Sequence, residues 1–160
     1  TVARDLEYGV RECDESLYPQ EVLHTDSMAN YTTLIDKPVF QYNLEYNKDN
    51  FNHKNEEFRV FVQGVKEIVD KGMMVTIYVT SSASRVPTRS YDDNQDLAVH
   101  RMNNGNAALL KLFKEFDIDV SKVNVVLKEA SVNGPVYNND PIKNETVYKE
   151  YQYIKFEIKF

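Results

Sequence analysis

The residues of this sequence best suited to chemistry lie between Val75 and Met102, where a serine-rich loop is followed by an arginine on a predicted helix. Ser81 and Ser82 follow a run of alternating apolar residues, and Arg101 comes shortly after an acidic turn. Serine hydroxyls donate and accept hydrogen bonds, and a guanidinium binds a carboxylate through two parallel N–H groups. Because Arg101 is predicted near the N-terminal end of its helix, the free N–H groups and the helix dipole there also favour an anion. The pattern indicates a receptor for a carboxylate.

Each of these side chains also has a structural interpretation, which the sequence leaves open. Arg101 can pair on the surface with Asp93 or Asp96 instead of binding a ligand. The serines of the loop can hydrogen-bond to the loop's own backbone, as serine often does. Asp92, Asp93 or Asn94 can cap the predicted helix, and Asn94 can serve first as such an N-cap and only second as a ligand contact. Arg85 can be a solvated loop residue.

Other kinds of active site find little support in the sequence. The three histidines, His24, His53 and His100, share no metal-ligand spacing. A nucleophilic triad can be drawn from Ser82, His100 and an aspartate, but no G-x-S-x-G elbow accompanies it. A glycine-rich phosphate-binding loop is also missing from the sequence. We therefore expect no catalytic residue, no metal site and no cofactor.

Composition narrows the class of protein. The chain has 160 residues, 42% of them hydrophobic, which is enough for one domain with a proper core. A net charge of -6 argues against binding to nucleic acid or to an anionic membrane surface. Cys13 is the only cysteine, and no apolar run approaches the roughly 20 residues of a transmembrane helix. The chain begins at Thr1 with neither a methionine nor a signal peptide, and we expect a processed form or an excised part of a longer protein.

The strands and helices that must position the serine loop and the arginine are predicted from Pro38 onward. Alternating apolar residues predict strands in PVFQYNLEY, VTIYVT, KVNVVLKEA and the terminal YIKFEIKF. Apolar residues at spacings of three and four predict a helix over Phe58–Val69, which Gly72 ends. A second helix carries the apolar residues from Leu97 to Phe116 and runs through the segment NNGN, where glycine costs about 1 kcal/mol. VNGPVYNNDPIKNE is predicted to be a long polar loop.

This order of elements predicts the fold class. Strand–helix–strand–helix–strand–strand indicates an α/β (α+β) two-layer sandwich, with a mixed sheet and two helices on one face. Residues 1–37 have weak periodicity and are predicted to form an N-terminal extension or linker that packs on a domain spanning residues 38–160.

The same order, together with five short motifs, resembles the OmpA-like C-terminal domain, the peptidoglycan-binding module of Gram-negative envelopes. LEYNK, followed by Phe51, is similar to the family's F-D-F-D-K pattern, and NQDLAVHRM is similar to its N-x-x-L-S-x-x-R-A signature. DIDVSKVNVV resembles the family's G-I-x-x-x-R-I segment, and NGPVYNND resembles its G-E-x-x-P-V-x-x-N loop. YQYIKFEI stands where the family usually has N-R-R-V-E-I. The resemblance covers residues 38–160 and implies a βαβαββ fold.

The resemblance also implies a binding site for diaminopimelate, a residue of the peptidoglycan stem peptide. Arg101 stands at the position of the arginine that receives the ligand's carboxylate. Ser82 and Asn47 stand where typical members have aspartates that bind the amino end, so SSASRVPT marks a divergent subgroup. Neutral acceptors bind an ammonium less strongly than carboxylates do, and we expect a loss of about 1–2 kcal/mol in binding free energy. The predicted ligand-binding residues are Arg101, Ser82, Asn47, Asn94, Leu97, Ala98, Ser81 and Arg85.

The resemblance therefore implies a non-catalytic, periplasmic domain that anchors an outer-membrane protein or complex to the cell wall. Its partner would be a stem peptide of the diaminopimelate type, and other envelope proteins are further candidate partners. This interpretation predicts a concave pocket in which Arg101 is exposed. The alternative is a degenerate OmpA-like domain that docks proteins in an envelope assembly. It predicts a filled pocket, with Arg101 tied to a carboxylate and an apolar patch elsewhere, for example on residues 1–37.

Overall fold

The structure is a computed structural model that describes residues 38–159, so the predicted extension of residues 1–37 lies outside it, as does Phe160. The described range contains four strands, three α-helices and one 3-10 turn. The predicted order of strands and helices is confirmed, and one short helix is added in the loop that was predicted to be long and polar. The elements are β1 Val39–Asn43, α1 Glu56–Asp70, β2 Val75–Ala83, α2 Asn94–Glu115, the turn Val120–Lys122, β3 Val123–Val132, α3 Glu145–Lys149 and β4 Tyr153–Lys159.

The four strands form one mixed sheet in the order β1-β4-β2-β3. β2 and β3 are parallel, whereas β4 runs antiparallel to both of its neighbours, β1 and β2. Strand β4 therefore lies between β1 and β2. Phe156 of β4 pairs with Phe40 on one side and with Val79 on the other, which brings the ends of the described chain into one apolar layer.

One face of the sheet carries the core. Ile77 and Val79 of β2 and Phe156 of β4 are 0% exposed, whereas Tyr78, between the first two, is only half-buried. The rings of Phe58 in α1 and Phe156 are 4.7 Å apart, which ties the first helix to the central strand. Both long helices bury their apolar stripes on this face, as predicted. Their buried apolar side chains are Phe58, Phe61, Val62, Val65, Ile68 and Val69 in α1, and Leu97, Ala98, Met102, Ala108, Leu109, Leu112 and Phe113 in α2.

The helix ends follow ordinary capping chemistry. The Asn55 side chain accepts a hydrogen bond from the N–H of Phe58, and Gly72 ends α1 with a φ of +88°. Asp93 caps α2 by accepting from the N–H of Asp96 at 2.8 Å. Asp93 was one of three predicted caps and is confirmed, whereas the interpretation of Asn94 as the cap is wrong, because Asn94 is the first residue of the helix itself.

Gly105, in the middle of the NNGN segment, explains why α2 continues through a stretch of low helix propensity. A Cβ at this position would lie 2.8 Å from Ile154 Cγ2 and 3.2 Å from Phe156 Cζ. Only glycine lets the helix approach β4 this closely, so tertiary packing outweighs the propensity cost of about 1 kcal/mol.

β1 is shorter than its alternating pattern predicted. It ends at Asn43, and the Leu44 N–H then bonds to the Gln152 carbonyl at 2.7 Å. The following turn contains Asn47 with a φ of +59°, a conformation that asparagine tolerates better than most residues. Leu44 remains buried as the pattern implied, but the chain leaves the sheet to form a loop over the end of β2.

Within residues 38–159, no helix combines the length and the apolar character that a membrane crossing needs.

Candidate functional site

The candidate site lies where the loop after β1, the C-terminal end of β2 and the first turns of α2 meet. Arg101 is at its centre and is 0% exposed. Its Nε donates to the Lys48 carbonyl at 2.8 Å, its Nη1 to the Ser82 carbonyl at 2.9 Å and its Nη2 to the Glu45 carbonyl at 3.1 Å. Arg101 therefore fastens the loop after β1 to the end of β2.

The observed surroundings of Arg101 differ from both predictions made for it. An exposed Arg101 was expected for wall binding, and this is wrong because the loop that carries Glu45 and Lys48 covers the guanidinium. A carboxylate partner was expected for the alternative, yet the hydrogen-bond partners are backbone carbonyls. Burial lowers the pKa of Arg101 to about 10, and electrostatic interactions with Tyr91 and Asp49 offset part of that shift. Arg101 therefore stays charged at neutral pH.

Ser81 and Ser82, two predicted ligand contacts, are both 0% exposed and have partners within the fold. Ser81 Oγ donates to the Ala98 carbonyl of α2 at 2.6 Å. Ser82 Oγ accepts from Asn133 Nδ2, just beyond β3, at 2.8 Å. These hydroxyls connect β2 to the neighbouring elements, which is the structural role that the sequence left open beside ligand binding.

Ser84 continues this pattern at the end of the strand. It is 3% exposed, and its hydroxyl donates to Gln152 Oε1 at 2.7 Å. Gln152 in turn donates from Nε2 to the Leu44 carbonyl at 2.9 Å. A buried polar chain therefore links the end of β2, the start of β4 and the loop after β1.

The remaining predicted residues lie around this centre. Asn47 Oδ1 accepts from the N–H of Arg89 at 2.8 Å, so its side chain joins the two loops. Leu97 and Ala98 are buried against the end of β2 and shape the site through packing. Arg85 is exposed and donates from Nε to the Gly134 carbonyl at 2.8 Å. Its guanidinium is therefore drawn toward the loop after β3.

Asp49 and Tyr91 belong to the site, although the sequence analysis assigned neither of them to it. The pKa of Tyr91 is raised to about 12, first by burial and then by a hydrogen bond to the Asp49 carboxylate. Both groups are close enough to Arg101 to raise its pKa. Asn104 Nδ2 donates to the Asp49 carbonyl at 2.6 Å and holds that loop against α2. An acidic residue directly after LEYNK was the sequence signal that could have indicated Asp49.

Asp49 changes the charge pattern predicted for the site. The predicted acceptors for the amino end of a ligand, Ser82 and Asn47, are neutral. Asp49 is half-buried, and its carboxylate acts electrostatically to raise the pKa of Arg101 from a different position of the chain. The site therefore contains one cationic and one anionic side chain, groups that can complement the two charges of a zwitterionic ligand.

The histidine nearest the site is not paired with a nucleophile. His100 is exposed, its Nδ1 lies 2.9 Å from the Asp96 carbonyl, and its ring centroid is 5.0 Å from that of Tyr91. That backbone contact, followed by nearby aspartates, raises its pKa. The hydroxyl of Ser82 bonds with Asn133 instead of His100. Among residues 38–159, no three His, Cys, Asp or Glu side chains are grouped so as to hold a metal ion.

Comparison with known proteins gives distant structural likeness only. No family model matches the chain, and no curated protein matches it. Two structures of the periplasmic domain of Helicobacter pylori MotB are 14% and 12% identical to it, over 76% of this chain and 74% and 72% of theirs, each with a TM-score of 0.43. A MotB-like protein from Desulfovibrio vulgaris is 11% identical over 87% of this chain and 94% of its own, with a TM-score of 0.44. Likeness of this extent is too slight to carry a conclusion about family or ligand.

Proposed function

We propose that this chain is a non-catalytic peptidoglycan-binding domain of the OmpA-like type, which recognises a diaminopimelate residue of the stem peptide. The observation that carries the proposal is the convergence of three positions that are far apart in the sequence. Arg101 donates to the carbonyl of Ser82 and to the carbonyls of Glu45 and Lys48, which flank Asn47. The resemblance assigns Arg101, Ser82 and Asn47 to the ligand site, and the bonds of Arg101 to the Ser82 carbonyl and to the loop that contains Asn47 support the proposal.

In the proposed recognition, the cation and the anion of the site bind different groups of the ligand. A guanidinium has five N–H donors, and three of those of Arg101 are taken by backbone carbonyls. The two remaining Nη hydrogens are available for the ligand's carboxylate. Asp49 accepts the ligand's ammonium group, a role that Ser82 and Asn47 were predicted to fill. Because Arg101 is 0% exposed, the loop at Glu45 to Asp49 must shift for the ligand to enter.

The biological consequence of such recognition is attachment. A periplasmic domain that binds the stem peptide would hold the protein or complex that carries it to the cell wall, and we propose an outer-membrane protein as the anchored partner. The net charge of -6 is compatible with this role, because recognition depends on local charge pairs and needs no basic surface.

Calorimetric titration with a soluble muropeptide that contains diaminopimelate tests the proposal. We expect saturable binding to the unmodified chain and binding at least tenfold weaker in Asp49→Asn, because the variant loses a charge-assisted bond of about 1.5–3 kcal/mol. Asp49→Asn keeps the shape of the side chain and the Asp49 carbonyl that Asn104 holds. Asp70→Asn is the matched control, since Asp70 is exposed at the end of α1, pairs with Lys66 and lies outside the candidate site.

A second candidate function, protein docking in an envelope assembly, is favoured by the burial of Arg101 and by an apolar groove beyond the far end of α2. Leu110 and Val120 are 49% and 61% exposed there, and Phe113 and Ile118 form the base. The docking alternative predicted an apolar patch away from the site. A folded chain that gives no heat with the muropeptide at millimolar concentration would favour this candidate over wall binding.

A further inference from the structure

The sheet has a second face, opposite the one on which α1 and α2 bury their apolar stripes. Alternation along β2 and β4 assigns every second residue to this face, and the residues between them are buried beneath the helices. The half-buried residues that form this second sheet face are Thr76, Tyr78, Thr80, Tyr153, Lys155 and Glu157. Neither long helix covers it, so the described part of the chain leaves this face available for a further contact.

Lysines give the second sheet face a positive charge. Lys128 is the extra residue of a bulge in β3, and its ammonium lies 5.6 Å from the ring centroid of Tyr78. The ammonium of Lys155 lies 6.0 Å from the ring centroid of Tyr153. Neither lysine forms an ion pair with a carboxylate of residues 38–159. The charged residues of the face, counting its margins, are Lys128, Lys155, Lys159, Glu129 and Glu157.

The segment of residues 1–37 has the complementary charge. Eight of its residues are Asp or Glu and three are Lys or Arg, which gives it a net charge of -5 out of the -6 of the whole chain. Glu12, Asp14 and Glu15 are concentrated around Cys13. The outer surface of α1 would repel such a segment, because that helix has four acidic residues and only two basic ones.

The segment also joins the domain at an edge of this sheet. Val39 is the first residue of β1, and the Pro38 carbonyl accepts a hydrogen bond from the N–H of Ile158 in β4 at 2.8 Å. Four strands with a spacing of about 4.8 Å span about 14 Å, a distance that about five extended residues cover. Thirty-seven residues are therefore more than enough to reach any part of the second sheet face.

From these features we infer that residues 1–37 dock on the second sheet face, with their carboxylates against Lys128 and Lys155. Exposed ion pairs are weak one by one, but a tether within one chain replaces a bimolecular encounter, so a few pairs suffice. The rings of Tyr78 and Tyr153 lie beside these lysines and offer apolar side chains of the segment a surface for packing. Because Arg101 belongs to a helix on the other face, this contact does not depend on the proposed wall binding.

The test uses the whole chain. Cys13 is its only cysteine, so a nitroxide attached to that thiol reports on the acidic segment without any substitution. Paramagnetic broadening of the backbone amide resonances then shows which surface the segment contacts. We expect the strongest broadening in β2 and β4 and weaker broadening in α1 and α2, which lie behind the sheet. A mixture of nitroxide-labelled chains with unlabelled, isotope-enriched chains distinguishes docking within one chain from docking on a second copy.

Charge reversal tests the role of the two lysines. Lys128→Glu combined with Lys155→Glu should reduce the broadening of the sheet amides at least about twofold, because both contacts become repulsive. Lys111→Glu combined with Lys114→Glu, at exposed positions of α2, reverses the same number of charges and is the matched control, which should leave the broadening unchanged. In the chain without substitutions, added salt should weaken the broadening, since salt screens exposed charges.

Three results would overturn the inference: no broadening of the sheet amides, the strongest broadening in α1 or α2, or broadening that responds neither to salt nor to the reversal of Lys128 and Lys155. Equally strong broadening in the mixed sample would assign the contact to a second copy and would also overturn docking within the chain.

Discussion

At the scale of single residues, Arg101 has a structural role and a proposed role in ligand binding. Its three bonds to backbone carbonyls join the loop after β1 to β2, and its own side chain is 0% exposed. Removing the donors would leave those acceptors without partners, and each buried unsatisfied group costs about 1–3 kcal/mol. A variant at Arg101 therefore reports on stability as well as on binding, and the two effects must be measured separately.

We predict that Arg101→Met lowers the free energy of unfolding by about 2–4 kcal/mol, because methionine fills much of the space but donates nothing. Urea denaturation at neutral pH measures this change. Arg59→Met is the matched control, since Arg59 lies on the surface and pairs with Glu115, and it should have little effect. An Arg101→Met chain as stable as the unmodified one would show that the three bonds do not hold the loop.

Asp140 and Tyr148 provide a residue-scale prediction about pH. The hydroxyl of the buried Tyr148 donates to Asp140 Oδ1 at 2.5 Å, and Asn144 donates to the other carboxylate oxygen. These bonds lower the pKa of Asp140 below its ordinary 3.8. A lowered folded-state pKa gives stability that is present above the unfolded-state pKa and is lost as the pH falls through the folded-state pKa.

Tyr148→Phe should therefore reduce stability at neutral pH and make stability less dependent on pH in the acid range. Urea midpoints recorded from about pH 7 down to about pH 2 would show both effects. Tyr153→Phe is the control, because Tyr153 is half-buried in β4 and is bonded to no carboxylate of residues 38–159. Parallel pH curves for Tyr148→Phe and the unmodified chain would contradict the assignment.

At the scale of the secondary-structure elements, the contact of α2 with β4 sets the position of Arg101. Gly105 allows that contact, since a Cβ would approach Ile154 Cγ2 to 2.8 Å. Gly105→Ala should destabilise the fold by about 1–3 kcal/mol, although alanine is the better helix former by about 1 kcal/mol. Asn103→Ala, at an exposed site of the same segment, should be neutral or stabilising by a few tenths of a kcal/mol. Thermal unfolding of both variants tests this; a stabilised Gly105→Ala would mean that the helix does not pack this closely.

The four strands and the two long helices were predictable because each has a clear hydrophobic period. Alternation in YIKFEIKF and spacings of three and four around Phe58–Val69 reported which face is buried, and the structure agrees. The end of β1 was not predictable, because Leu44 is buried in a loop as it would be in a strand. Helix α3 was missed because its five residues, Glu145–Lys149, are too few to establish a period.

The site was less predictable than the elements. Composition and motif spacing directed attention to Arg101 and to the serines, and the fold does gather them. The partners of a hydroxyl depend on which strand ends lie beside it, so the bond of Ser82 to Asn133 could not be read from the sequence. The same holds for the burial of Arg101, which results from the path of the loop at Glu45 and Lys48.

At the scale of the whole molecule, β4 and β2 are the central strands of the sheet that residues 38–159 form, and β1 and β3 are its edges within that range. Central strands are bonded on both sides and carry the fully buried Ile77, Val79, Ile154 and Phe156. We predict that the amides of β2 and β4 exchange with deuterium most slowly, whereas those of β1 and β3 exchange earlier through local opening. Hydrogen-exchange mass spectrometry tests this order. Equal protection of β1 and β2 would contradict it.

The placement of the site follows from this architecture. Ser82 lies at the end of a central strand, and Arg101 lies in the helix that leads on from it. The loop after β1 belongs to an edge of the sheet and is held to the centre through Arg101.

The most direct test of the central claim is to follow the Arg101 Nε–Hε resonance while a diaminopimelate muropeptide is added. A matched muropeptide with amidated diaminopimelate carboxylates is titrated in parallel. We expect a saturable shift with the first ligand and little or none with the second, because the proposed bond joins the guanidinium of Arg101 to a carboxylate. A resonance that stays unchanged at saturating ligand, or that moves equally with both ligands, would contradict the claim that Arg101 receives the carboxylate.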